Sequence, residues 1–359
     1  MSAPSWPWAA SVASAATYRT SYIPKTPGET KLNHNEAPED LDGELKAEIL
    51  SRLAQLPWHR YADPDGAGVR QALAAATGHP LAGVAVGHGA NDLIARLMFA
   101  LTPDTPVVLV EPDYYVHGRS AQLAGQRPLR VALRRAGATY ALDVDGILAA
   151  AGRGPALLVL SNPNNPTGSL FAAAALDRLL AEFPGAIVLD EAYAEFAGHT
   201  RQADLATHSN LAILRTLSKA HALAGVRLGY LLGSAEVVAQ LDKLQPPYPI
   251  SVLQTVAAEV ALSHGERARQ RVAAVVAERQ QLRTELRALG VDVLDSHGNF
   301  LLAAFGERRS AVLAALARAE LAVRDVGDLP GAPGCLRVSI GAPAANARLL
   351  AAVKQALDG

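Results

Sequence analysis

The sequence predicts an α/β fold: a mostly parallel central sheet covered by helices, joined to a smaller α+β domain. Three observations predict it. From about Trp58 to Pro249, short apolar runs alternate with helical patterns, as parallel strands linked by crossover helices do. After Pro249 the texture changes to a long charged helical stretch followed by strand-like segments. Between the two, Pro246-Pro247-Tyr248-Pro249 places three prolines in four residues, and no helix continues through such a cluster.

Taken in order, residues 1–18 are rich in Ala and Ser, carry Trp6 and Trp8, and lack a basic stretch followed by a compact apolar core. They read as a flexible arm rather than a signal peptide. Strands are expected at 83–87, 107–111, 156–161, 186–190, 211–216 and 228–232, each an apolar run closed by polar or glycine residues. A helical stretch follows over 263–289, then strands at 291–294, 300–305, 322–326 and 336–340. The expected partition is an N-terminal arm over 1–30, a large α/β domain over 56–249, and a small α+β domain made of 31–55 with 250–359.

A chain of 359 residues that is 50% hydrophobic can bury a large core and divide into two domains. With 33 basic and 34 acidic residues the net charge is -1, which gives no strong field for nucleic acid or a membrane surface. Cys335 is the one cysteine, which excludes an internal disulfide framework and suits a reducing cytoplasm. No apolar run reaches the roughly 18 residues of a spanning helix, so a soluble protein is expected. There is no G-x-G-x-x-G; Gly87-His88-Gly89-Ala90-Asn91-Asp92 is not one, and a nicotinamide enzyme is disfavoured. No H-E-x-x-H or cysteine pair supports zinc, and no metal is expected. The run Ala172 to Ala175 falls within a helical pattern and reflects composition alone.

The most informative segment is Thr216-Leu217-Ser218-Lys219-Ala220-His221-Ala222-Leu223-Ala224-Gly225-Val226-Arg227. Lys219 follows an apolar run, has hydroxyls at 216 and 218, and has an arginine eight residues on. That is the equipment of a Schiff-base lysine beside a phosphate cradle. Upstream, Ser161-Asn162-Pro163-Asn164-Asn165-Pro166-Thr167-Gly168 and Asp190-Glu191-Ala192-Tyr193 each close a strand-like run, where open α/β sheets bind ligands. The run 87–92 opens a helix after a strand, so the N–H groups of Ala90 and Asn91 would face an anion.

With these motifs in this order the chain resembles the fold type I aminotransferases that use pyridoxal 5'-phosphate, from about Tyr22 to the C-terminus. Within that family it is most similar to the histidinol-phosphate branch, through Leu32-Asn33-His34-Asn35-Glu36, Arg60-Tyr61, Asp63-Pro64-Asp65-Gly66-Ala67-Gly68, Ile213 to Lys219, Pro247-Tyr248-Pro249 and Cys335-Leu336-Arg337-Val338. The resemblance implies a fold type I transferase and roles for particular residues. Lys219 would carry the cofactor and move the proton; Asp190 would face the pyridine nitrogen. Tyr193 and Asn165 would bond the ring oxygen. Ala90, Asn91, Thr216, Ser218 and Arg227 would hold the phosphate. Tyr114 would stack on the ring, with Tyr115 its adjacent rival. Arg337 and Arg324 would bind substrate anions, with Tyr22, Asn35 and Asn165 beside them, and Asn299-Phe300 would bring the small domain to the pocket. Tyr61 would reach the cofactor phosphate of a second subunit, which implies a homodimer with shared sites.

Three positions depart from the family pattern: His221 stands where an aromatic is usual, Asn91-Asp92 replaces Asp-Glu, and Asp113 replaces a small hydroxyl residue. His221 reads as a packed histidine. The expected activity is transamination of L-histidinol phosphate with 2-oxoglutarate. An aromatic amino-acid aminotransferase or a threonine-phosphate decarboxylase shares the same cofactor motifs and is the alternative. A non-catalytic regulator that binds the cofactor lies outside the enzyme class, and would call for a basic helix-turn-helix extension or a lost lysine; neither is present.

Overall fold

The computed structural model describes residues 9–15 and 30–358. Its strands are β1 (Thr30–Leu32), β2 (Val84–Gly87), β3 (Val107–Glu111), β4 (Leu129–Ala132), β5 (Arg134–Ala136), β6 (Thr139–Ala141), β7 (Leu157–Ser161), β8 (Ala186–Asp190), β9 (Leu211–Thr216), β10 (Gly229–Leu232), β11 (Asp292–Val293), β12 (Phe300–Ala304), β13 (Leu321–Asp325) and β14 (Cys335–Ser339). Seven of them form the larger sheet, in the order β2-β10-β9-β8-β7-β3-β4. β4, β3, β7, β8 and β9 are mutually parallel. β10 runs antiparallel to both of its neighbours, β9 and β2.

The alternation along these strands explains why both faces are covered. Val84, Val86, Val108, Val110, Leu158, Leu160, Ile187, Leu189 and Ile213 point into one core. Ala85, Val107, Leu109, Leu157, Val159, Val188 and Leu214 point into the core on the other face. Successive side chains of a strand face opposite ways, so a sheet with helices on both faces needs near-continuous apolar runs. Both runs are present, and β2, β3, β7, β8 and β9 all direct their carboxyl ends to one edge.

The second sheet has the order β1-β13-β14-β12-β11, parallel only between β1 and β13. Its core joins Leu32, Phe300, Leu301, Leu321, Val323, Leu336 and Val338 to the helices 265–288 and 343–358. Tyr193 and Phe196, at the start of and within the short helix Ala194–Ala197 that follows β8, pack into this same core. That contact lays the second sheet over the ligand-facing edge of the first.

The packing departs from the expected partition. Helices Gly43–Ala54 and Val252–Ser263 were expected in the small domain, yet Leu45, Ile49, Leu53, Val256, Ala257 and Val260 are buried in the larger core with Val69 and Leu73. The proline cluster redirects the chain without ending the packing unit. The helix expected over 263–289 is present as Gly265–Ala288, and a separate helix, Val252–Ser263, ends just before it at His264. Residues 33–36 form a loop that leads from β1 into the site. At the N-terminus Ala10–Ala13 makes one helical turn, and Ser11 Oγ donates to the Leu123 carbonyl at 3.2 Å. Among the described residues no helix is long and apolar enough to cross a membrane, and no group of three or more His, Cys, Asp or Glu could hold a metal ion.

Candidate active site

A cavity of about 410 Å³ opens where the two sheets meet, and its walls include Asn35, Ala90, Asn91, Tyr114, Asn165, Asp190, Tyr193, Thr216, Ser218, Lys219, Arg227, Arg324 and Arg337. The volume lies within the range of small-molecule sites. The sequence-derived residues are therefore together, with two exceptions. Tyr61 is 82% exposed, stacks on Tyr248 with ring centroids 4.4 Å apart, and does not line this cavity. Tyr22 lies outside the described residues.

Each wall owes its position to the end of a strand. Asp190 is the last residue of β8; its Oδ1 accepts from the Ala192 N–H at 3.0 Å. Thr216 ends β9, and its hydroxyl donates to the Leu228 carbonyl at 3.2 Å while accepting from the Ser218 N–H at 3.0 Å. The Thr216 hydroxyl is thus committed to shaping the turn that carries Ser218 and Lys219. Lys219 Nζ donates to the His34 carbonyl at 2.9 Å. Withdrawal from water is the main influence that lowers its pKa to about 7, with Arg337 and Arg227 adding to it and Glu36 and Asp190 opposing. An amine in that state is both nucleophile and proton carrier near neutrality.

At another wall, the helix Ala90–Ala100 starts after Gly89 with no side-chain cap, so its first N–H groups are available to an anion. Gly89 has φ +78°, and a Cβ there would meet Arg227 Nη2 at 2.6 Å. Behind it, a Cβ on Gly229 would lie 2.2 Å from the Ala90 backbone nitrogen. Glycine at these two positions lets the helix start, the strand β10 and the Arg227 guanidinium share one small space. A helix N-terminus with an arginine over it is a cradle for a phosphate.

The second sheet supplies the roof. Arg337, buried in β14, donates from Nη1 to Asn165 Oδ1 at 2.6 Å and from Nη2 to the Asn33 carbonyl at 2.7 Å. Arg324 pairs opposite it across β13 and β14. Asn35 Nδ2 donates to the Tyr193 hydroxyl at 2.9 Å, and Asn165 Nδ2 reaches the same oxygen at 3.4 Å. A hydroxyl that accepts twice keeps its own proton to donate to a ligand. Tyr193 is held edge-on to Phe300, with centroids 5.1 Å apart, and Asn299 Nδ2 donates to the Asn35 carbonyl at 3.0 Å. His221 does not line the cavity; its Nδ1 is buried without a hydrogen-bond partner among the described residues, and burial pushes its pKa down to about 4.

One residue of this site was missed by the sequence reasoning. His117 is wholly buried; its Nδ1 lies 2.9 Å from Asp113 Oδ2 and its Nε2 lies 3.3 Å from Asp190 Oδ2. The available signal was the acid four residues before it at the start of a helix, a spacing that puts two side chains on one face.

The profile of the family described as aminotransferase class I and II matches residues 27–353. The chain belongs to that family. This aminotransferase is 39% identical, over 95% of its length and 96% of the other, to histidinol-phosphate aminotransferase 1 of Burkholderia lata. It is 36% identical to the histidinol-phosphate aminotransferase of Methylibium petroleiphilum, over 94% of its own chain and 91% of that one. Its fold is similar to the crystal structure of histidinol-phosphate aminotransferase from Sinorhizobium meliloti in complex with pyridoxal-5'-phosphate, with a TM-score of 0.86, 25% identity and 98% of each chain covered. The aminotransferase is accordingly an α/β enzyme of fold type I whose cofactor is pyridoxal phosphate. The residues present fit that group: a lysine amine of lowered pKa, a buried carboxylate across the cavity, and a glycine-lined anion cradle under Arg227.

Proposed function

We propose that this aminotransferase exchanges the amino group between L-histidinol phosphate and 2-oxoglutarate, giving imidazole-acetol phosphate and glutamate, the transamination step of L-histidine biosynthesis. The observation that carries the reading is the pair Arg324 and Arg337 in the wall that holds Lys219, since a phosphate monoester and a dicarboxylate both call for guanidinium partners. The likeness to histidinol-phosphate aminotransferases over nearly the whole chain supports the choice of substrate.

When bound, pyridoxal phosphate supplies the carbonyl that takes the amino group and the sink for the electrons left when Cα loses its proton. Lys219 would hold the cofactor covalently, and its amine, with a pKa lowered to about 7, would move the Cα proton of the bound substrate. Asp190 pairs with the pyridine N–H as a charge-assisted partner. Tyr193 and Asn165 hold the ring oxygen. The N–H groups of Ala90 and Asn91, the Ser218 hydroxyl and Arg227 hold the phosphate, on the turn shaped by Thr216. Tyr114 covers the ring rather than Tyr115, because its ring stands 5.6 Å from His117 beside Asp190 while Tyr115 is 39% exposed. Arg337 binds the substrate anion, with Arg324, Asn35 and Tyr22 completing that end.

The enzyme acts as a homodimer in the cytoplasm. The exposed stack of Tyr61 on Tyr248 is the surface a second copy covers, and Tyr61 then serves the other subunit's phosphate. The test is the absorption spectrum of the protein with pyridoxal phosphate. L-histidinol phosphate should convert the band of lysine-bound cofactor to that of the aminated form at a lower concentration than phenylalanine or phosphothreonine. Preference for phenylalanine would make it an aromatic aminotransferase, and release of carbon dioxide from phosphothreonine a decarboxylase. Absence of any lysine-bound band would end the catalytic reading.

A further inference from the structure

The carboxylate of Asp113 is buried and has no part in the chemistry proposed above, yet it stands at the centre of a connected set. Its Oδ2 meets His117 Nδ1 at 2.9 Å. Its Oδ1 accepts from the Ser161 hydroxyl and, at 3.2 Å, from Asn164 Nδ2. Ser161 Oγ in turn accepts from the Asn165 N–H at 3.1 Å. On the far side of the imidazole, Nε2 meets Asp190 Oδ2 at 3.3 Å. Two elements therefore direct charge at His117: the segment before its own helix, through Asp113, and the end of β8, through Asp190. The Tyr114 ring stands edge-on at 5.6 Å.

A neutral imidazole has one donor and one acceptor nitrogen. With a carboxylate oxygen at each nitrogen it would leave one oxygen facing a lone pair, whereas an imidazolium donates to both. We propose that Asp113 is a positioning residue that locks His117 as a cation donating to Asp113 and Asp190 together, so that Asp190 meets the cavity with its Oδ2 already bonded from behind. The inference rests on the reading of Asp190 as the partner of the cofactor's ring nitrogen. The wider surroundings agree with it: the two carboxylates outweigh the loss of water and raise the imidazole pKa to about 10. The same Asp113 also ties the imidazole, through Ser161 and Asn164, to the loop after β7 that carries Asn165.

The test is a titration of His117 in the cofactor-loaded enzyme, labelled with ¹⁵N-histidine and assigned by comparison with His117→Gln. Both ring nitrogens should keep imidazolium shifts from about pH 6 to about pH 9, beyond the range where an ordinary histidine loses its proton. In Asp113→Asn the midpoint should fall by roughly 1–3 pH units, the usual effect of removing an adjacent opposite charge, and Asp113→Glu should restore it. An Asp113 that merely supports the helix would leave the midpoint where it was. The proposal is overturned by a wild-type His117 that is neutral near pH 8, which needs no variant to fold, or by an unmoved midpoint in Asp113→Asn. The Asp190 reading fails separately, if Asp190→Asn binds pyridoxal phosphate with undiminished affinity.

Discussion

Two buried nitrogen bases, one lining the cavity and one packed behind Asp190, are held in opposite ways. The Lys219 amine is drawn down to a pKa of about 7; the His117 imidazole is raised to about 10. Loss of water is the largest single influence at both, and at both it disfavours the cation. What differs is the company. Lys219 Nζ bonds a backbone carbonyl and feels Arg337 and Arg227, whereas His117 sits between Asp113 and Asp190. Burial alone therefore does not decide protonation here; the charge of the nearest partners does.

The largest effect that sharpens this contrast is expected from Lys219→Ala. It should cost roughly 10⁴-fold or more in turnover, as loss of a group that is both nucleophile and proton carrier does, and abolish the lysine-bound absorbance; retention of both would undo the reading of that amine. Next, Asp190→Ala should lower kcat by about 10²–10³-fold, the range for removing one preorganised electrostatic partner. Single-turnover kinetics would separate this from a binding defect. Arg337→Met should raise the KM for anionic amino donors by about 10-fold or more. It should also move the Lys219 titration to higher pH, since a neighbouring cation is gone, and the acidic limb of the pH–rate profile reads that shift directly.

The smallest effect is on the stability of the apoenzyme, because the two bases oppose one another. Lys219 has a folded pKa near 7 against an ordinary 10.5, so the unfolded chain binds the extra proton and this group makes stability rise with pH between about 7 and 10.5. His117 has a raised folded pKa, so its contribution is complete below the ordinary 6.5 and is lost as pH rises through about 10. Urea midpoints at about pH 7 and pH 9 should therefore differ little in the wild type. In Lys219→Met the midpoint should fall between the same two pH values, and a flat response there would deny the His117 contribution.

Much of this site was legible because each residue closes an apolar strand. Asp190, Thr216 and Ser161 stand at the ends of β8, β9 and β7, and the order of the asparagine-proline turn, the aspartate and the lysine marked the edge where ligands bind. His117 was not legible, since its second partner is 73 residues away and a histidine inside a helix pattern looks like any packed one. The strands β4 and β5 were also missed; Leu-Arg-Val-Ala and Arg-Arg-Ala are largely exposed and lack the apolar alternation that marks a half-buried strand. The packing of the helix after the proline cluster was hidden for a related reason. Prolines report where a backbone turns, while Val256 and Ala257 report what a helix packs against, and only the second divides cores.

The reversed strand β10 has a bearing on how the site is assembled. A parallel successor to β9 would have to begin at the opposite edge of the sheet, and the connecting chain would carry residues 217–228 away over a face. Because β10 runs the other way, with Gly229 beside Thr216, the chain leaves β9 and re-enters the sheet on the same side. Ser218, Lys219 and Arg227 are thereby confined to a short loop pinned at both ends, and the spacing between the amine and the guanidinium is set by the mouth of a hairpin rather than by the docking of a helix.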